Sequence, residues 1–199
     1  PTVFAGLPAV TAAGLVAGVV FVAAEQVFDG FGGKLGTMAF IGCAAVALAL
    51  GAEGGSGTAV SGATAVGFVL AGAAAAGITY ISSVRLNHGP VQASALVGLV
   101  GGLVCPALPI IGEGIAAVVF CASFAGMASP DRVPSVWAMA LAGAFCGVLV
   151  AATSPVLVGF GGKLGTIAFV ACLVVRGFLA VGADVLPAAL PAPADGLRS

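Results

Sequence analysis

The chain has 199 residues, of which 61% are apolar and only 7% are charged, and its mean hydropathy is +1.25. Soluble domains average roughly 45–50% apolar and about 25% charged residues. This composition excludes an ordinary soluble domain and indicates an integral, multi-pass membrane protein with the lipid bilayer as its surroundings. The net charge of −1 and the lack of a basic cluster in the sequence exclude a nucleic-acid partner.

Seven apolar stretches approach or exceed the roughly 20 residues that a membrane-spanning helix needs. They cover residues 7–27, 35–52, 58–82, 90–108, 112–128, 134–156 and 164–183. We therefore predict an all-α integral membrane protein with about seven short transmembrane helices, in a single polytopic domain over residues 1–186. No cationic region or A-x-A cleavage site accompanies the first run, so we expect it to be retained. A Pro/Ala-rich tail, predicted to be extended, follows over 187–199.

The octapeptide GFGGKLGT occurs twice, at residues 30–37 and 159–166. Eight identical letters in so short a chain indicate an internal duplication. The similarity continues without a gap over residues 14–43 and 143–172, so each residue has its counterpart 129 positions later, as Gly143 is to Gly14. Each copy consists of an apolar run, a glycine-rich turn with one lysine, and a second apolar run. This pattern predicts two copies of a helical hairpin.

A third, degenerate copy of the hairpin is predicted in the middle of the chain. Gly98 and Gly102 repeat the glycine spacing of the other copies, but the following turn carries Glu113 where they have lysine. The predicted hairpins cover residues of about 10–52, 91–128 and 136–183, and the run over 58–82 is an extra single span. One extra span places the two lysine turns on opposite sides of the membrane. That arrangement is an inverted repeat, which is common in secondary transporters.

The glycine-rich turn combines features that favour an anion. Its glycines let a solute approach the backbone amides, and the following helix directs its free N–H groups and dipole into the turn. The lysine adds a full positive charge, and a threonine adds a hydroxyl in the first helical turn. An ATP-binding loop is excluded, because its lysine must adjoin Ser or Thr. The predicted binding residues are Lys34, Lys163, Gly32, Gly33, Gly161, Gly162, Thr37 and Thr166.

A purely structural role explains the same turns in another way. Glycine-rich turns are ordinary between closely packed membrane helices, and a lysine at a helix end often extends to the lipid headgroups. The sequence leaves both interpretations open.

Three further ionisable residues lie in or beside apolar runs. Glu25 and Glu113 either pair with a lysine inside the membrane, where they would serve as coupling acids, or lie solvated at the interface. Arg176 falls well inside the last run, so it must snorkel, pair with an acid or face another subunit. We find no residue set typical of an enzyme active site or a metal site, and we expect no cofactor.

The sequence supports two functions of different classes. The preferred one is a small membrane transporter or channel for a small anionic or carboxylated solute, which the duplicated loops bind. The alternative is a non-catalytic structural subunit of a larger membrane complex, supported by GxxxG-type helix faces and few interfacial aromatic residues. Both functions predict association, either as a homo-oligomer or with other membrane subunits.

Overall fold

A computed structural model describes residues 6–24, 26–107 and 112–189, with side chains for all of these except 112–113 and 183–189. The described chain forms seven α-helices and contains no strand, which confirms the all-α prediction. The helices are α1 Leu7–Ala24, α2 Lys34–Leu50, α3 Gly62–Tyr80, α4 Pro90–Val104, α5 Gly112–Ala125, α6 Val136–Thr153 and α7 Lys163–Ala189.

Five of these helices are long and apolar enough to cross a membrane. The corresponding segments of the described chain are Leu7–Ala24, Gly62–Arg85, Pro90–Ala107, Val136–Thr153 and Lys163–Gly182. The two others, α2 and α5, are apolar but shorter, and both lie against α7. The composition of these helices is therefore compatible with a membrane protein.

Several helix ends differ from the sequence prediction for local reasons. The third helix begins only after Ser61, whose side chain accepts a hydrogen bond from the Thr64 amide and so caps the helix. A π-helical turn, Ile81–Arg85, then prolongs it. The last helix continues to Ala189, three residues into the predicted tail. Residues 108–111 and 190–199 lie outside the described residues.

The core of the bundle forms where α3 crosses α6. A Cβ on Gly143 would overlap the carbonyl oxygen of Gly72 and lie 2.6 Å from the Cβ of Ala76, and a Cβ on Gly147 would overlap the Phe68 backbone. The two helix backbones therefore touch directly, which is how small residues hold helices together in a bilayer. Helices α5 and α7 complete this core with fully buried side chains, among them Val118, Cys121, Cys172 and Val175.

The loops that contain the two octapeptides bond to segments near opposite ends of α3. We call residues 29–36 the first lysine loop and residues 158–165 the second lysine loop. The first bonds the α5–α6 connection through the Ser129 amide and the Gly30 carbonyl (2.8 Å), and Tyr80 at the end of α3 also bonds this connection, through Val133. The second pairs through Val158 with Gly55, in the segment that leads into α3.

Gly143→Ala should destabilise the bundle by about 1–3 kcal/mol, because its methyl group has no room at the α3–α6 crossing. Reversible unfolding in mixed micelles, followed by circular dichroism, measures this loss. The control is Gly102→Ala on α4, where nothing lies within 4 Å of the added carbon. Equal stability of the two variants would contradict the packing at this crossing.

Candidate functional site

The first turns of α2 and α7, with which the two lysine loops end, lie against each other. A Cβ on Gly36 would lie 2.6 Å from the Cα of Gly165, and a Cβ on Gly165 would lie 2.6 Å from the Cα of Gly36. A Cβ on Gly33 would overlap the Gly165 carbonyl, and one on Gly162 would overlap the Gly36 carbonyl. Each contact of one copy thus has a reciprocal contact in the other.

Backbone conformation makes glycine necessary at the residue before each lysine. Gly33 has a φ of 79° and Gly162 has a φ of 80°, in the left-handed region that other residues rarely adopt. In both copies this glycine lies directly before the first residue of the helix and turns the chain into it. The repeated sequence therefore produces the same local bend twice.

Phenylalanines extend the reciprocal contact on both sides. Phe31 of the first lysine loop lies against Phe169 of α7, with ring centroids 5.6 Å apart. Its counterpart, Phe160 of the second loop, lies against Phe40 of α2 at 5.8 Å. Each loop therefore packs along the helix that follows the other loop.

The two lysines have different partners despite their identical local sequence. The Lys34 ammonium lies 3.0 Å from the carboxylate of Asp29, whereas the position equivalent to Asp29 in the second copy is occupied by Val158. The Lys163 ammonium instead donates to the carbonyl oxygens of Thr153 (2.6 Å) and Val156 (2.7 Å), at the end of α6. Lys163 therefore stabilises a helix C-terminus, where a positive charge is favoured.

The ion pair sets the charge state of Asp29. The hydrogen bond from Lys34 and the attraction of its charge lower the pKa of the Asp29 carboxyl below its ordinary value. The Asp29 side chain is 77% exposed, so solvent screens the pair. The pair restrains the Lys34 side chain beside the Asp29 carboxylate.

A cavity of about 520 Å³ opens beside the first lysine loop. Its walls are residues 29–36 together with Pro90, Phe124, Met127, Ser129 and Asp131. The N-terminus of α2 faces it, and the first hydrogen bond within this helix runs from the Thr37 amide to the Gly33 carbonyl at 3.1 Å. The amides of Lys34, Leu35 and Gly36 therefore have no acceptor within the helix. A helix N-terminus and a lysine thus meet at one cavity.

Of the eight predicted binding residues, three line this cavity: Lys34, Gly32 and Gly33. The equivalent glycines of the second copy are elsewhere, since Gly161 lines a separate apolar groove and Gly162 packs against α2. Both predicted threonine hydroxyls donate back into their own turns, Thr37 to the Gly33 carbonyl and Thr166 to the Gly162 carbonyl. The structure thus brings together the lysine and the glycines of the first copy only.

Of the three further ionisable residues, Arg176 does not line the cavity. The side chains of the other two lie outside the described residues. Arg176 is exposed on α7, and no described acid pairs with it. Glu25 lies outside the described residues, as does the side chain of Glu113 in the first turn of α5. Their predicted pairing with a lysine stays a prediction.

The residues that the α5–α6 connection adds to the site were not predicted from the sequence. Ser129 and Asp131 line the cavity, and Arg132 donates from Nε to the Asp29 carbonyl (3.0 Å) while its guanidinium lies 4.7 Å from the centre of the Phe31 ring. The sequence marks Ser129 to Arg132 as a polar turn, but only the folded chain brings it to the first lysine loop. Asp29, directly before the first octapeptide and absent from the second copy, was the one available signal.

Known proteins give no guide to this site, because no family model, no curated protein and no solved structure matches the chain. Its chemistry must therefore be argued from the residues themselves.

Gly36→Ala and Gly165→Ala should each destabilise the protein by about 1–3 kcal/mol, because either methyl group forces α2 and α7 apart. The double variant should lose less than the sum of the two, because both changes act on one contact. A double-mutant cycle of unfolding free energies measures this coupling. Strict additivity would show that the two glycines do not share a contact.

Lys34→Met should raise the pKa of Asp29, because it removes the hydrogen bond and the positive charge that lower it. In the native protein this pKa lies below its unfolded value, so the pair stabilises the fold at neutral pH and the contribution is lost as the pH falls through the lowered pKa. Carboxyl carbon NMR of aspartate-labelled protein measures the shift, with Asp29→Asn to assign the signal. Lys163→Met is the matched control and should leave the Asp29 pKa unchanged.

Proposed function

We propose that this protein is a small membrane transporter or channel for a small carboxylated solute, bound in the cavity of the first lysine loop. The observation that carries the proposal is the meeting of the Lys34 ammonium and the free amides of the α2 N-terminus at this cavity. Helix N-termini and lysine both favour a carboxylate. The five long apolar helices are compatible in length and composition with the membrane-crossing frame that such a function needs.

The charged residues around the cavity limit the charge that a bound solute can carry. Lys34 is partly neutralised by Asp29, and Asp131 adds a further carboxylate to the wall. A dianion such as phosphate or a dicarboxylate would be repelled by these two acids. A single carboxylate suits the site best, on a solute whose remaining part is apolar or positively charged, because the wall also offers Phe124 and Met127.

We further propose that the first and last hairpins form an inverted repeat. Two observations support this: the reciprocal glycine contacts between α2 and α7, and the hydrogen bonds of the two lysine loops to segments near opposite ends of α3. In transporters with inverted repeats, helix N-termini meet near the middle of the membrane, and the two repeats exchange conformations to open the site to either side. We propose the Gly36–Gly165 contact as the pivot between the two repeats.

A role as a structural subunit is the second candidate, and the exposure of α1 favours it. Only 6% of the α1 span is buried within the chain, against 39% of α3, α6 and α7. A helix so uncovered suits association with another membrane protein. If the protein served only this role, the purified chain would carry no solute.

Lys34→Met should lower carboxylate uptake by about tenfold or more, because it removes a charge-assisted hydrogen bond from the solute. Uptake of labelled acetate, lactate and glycine into proteoliposomes measures the effect, with phosphate as the solute expected to be rejected. Lys163→Met is the matched control, since this lysine has the same local sequence but bonds the end of α6.

We expect the Lys163→Met protein to retain uptake with slightly lower stability. Equal loss in both variants would contradict a site restricted to the first copy. Absence of uptake by the wild-type protein for every probe would contradict transport of these solutes and favour the structural role.

A further inference from the structure

Three charged side chains line the cavity of the first lysine loop, and only two of them are paired. The Lys34 ammonium lies 3.0 Å from the Asp29 carboxylate. Asp131 of the α5–α6 connection lines the same cavity. Its carboxylate makes no hydrogen bond or ion pair with any residue that the structure describes. The cavity therefore contains one acid that is paired and one that has no partner in the described chain.

Two hydrogen bonds to the first lysine loop hold Asp131 beside this cavity. On one side of Asp131, the Ser129 amide donates to the Gly30 carbonyl at 2.8 Å. On the other side, Nε of Arg132 donates to the Asp29 carbonyl at 3.0 Å. Residue 131 thus lies between two attachments of the connection to the loop. A solute in the cavity meets the wall formed by the loop and the wall formed by the connection together.

Arg132 follows Asp131 in the sequence but does not neutralise it. The Arg132 side chain bonds the first lysine loop, and its guanidinium lies 4.7 Å from the centre of the Phe31 ring. No ion pair joins Arg132 to Asp131 in the described chain. Asp131 is also exposed, so a positively charged group of a solute can reach its carboxylate.

This arrangement of charges distinguishes three kinds of small solute. A simple carboxylate beside Lys34 would add a second negative charge near Asp131, and like charges repel each other. A simple ammonium would pair with Asp131 but would leave the amides at the α2 N-terminus without an acceptor. A solute that carries both groups can form charge-assisted hydrogen bonds with both walls.

We propose that the cavity selects a zwitterionic amino acid, with its carboxylate at Lys34 and the α2 N-terminus and its ammonium at Asp131. This inference rests on the proposed transport function, and it assigns Asp131 as the residue that distinguishes amino acids from simple carboxylates. The half-buried Phe124 and Met127 offer an apolar surface to a short side chain. A cavity of about 520 Å³ has room for a small amino acid.

Replacement of Asp131 tests this specificity while it leaves Lys34 in place. Asp131→Asn keeps the shape of the side chain, and the fold should persist because Asp131 bonds no described residue. Binding of labelled glycine to the protein in lipid nanodiscs should weaken by about tenfold or more, because a charge-assisted hydrogen bond is lost. Binding of labelled acetate should stay equal or become tighter, because a repelling charge is removed.

Two further variants control for the charge and for the fold. Asp131→Glu keeps the negative charge and should restore part of the glycine affinity. Glu53→Gln removes an exposed acid from the segment before α3, outside the cavity lining, and should leave the glycine affinity unchanged.

Direct binding of labelled glycine, acetate and methylamine to the wild-type protein separates this inference from the proposed function. We expect glycine to bind about tenfold or more tightly than either of the others, because only glycine contacts both walls. Equal affinities for acetate and glycine, or an unchanged glycine affinity in Asp131→Asn, would overturn the role of Asp131 and leave the carboxylate site standing. Methylamine that binds as tightly as glycine would overturn the selection of zwitterions, and binding of neither glycine nor acetate would overturn the proposed function as well.

Discussion

Backbone contact between the first turns of α2 and α7 is the constraint on which the arrangement depends. Lipid tails are as apolar as leucine, so membrane helices gain little from apolar burial and associate through close van der Waals packing instead. Gly36 and Gly165 permit that approach, and the bends at Gly33 and Gly162 bring each loop onto the helix that follows the other. Larger side chains here would separate the helices and move both lysine loops.

Identical local sequence leads to two different environments because the neighbours differ. In the first lysine loop, Asp29 pairs with the lysine. This loop and the α5–α6 connection together line a cavity. The second loop lies against the segment before α3, and its lysine bonds the end of α6. The proposed binding function therefore belongs to one copy, while the other serves the packing of the bundle.

The exposure of α1 shows the same asymmetry between the first hairpin and the last. The last hairpin is enclosed by α3 and α5, which follow the first hairpin in the chain and pack beside the second. The first hairpin keeps an open groove and a free glycine pair.

The sequence by itself determined the helices and the local bends. Long apolar runs must become helices in a bilayer because backbone groups need internal hydrogen bonds, and the repeated octapeptide produces the same turn wherever it occurs. Of the eight residues that the sequence predicted to bind a solute, Lys34, Gly32 and Gly33 line the cavity. Only the tertiary structure decided that Lys163 bonds α6, that Asp131 and Ser129 join the site from a distant connection, and that α1 stays uncovered. These outcomes depend on which helix packs beside which, and a sequence of Ala, Gly and Val offers many equivalent faces for that choice.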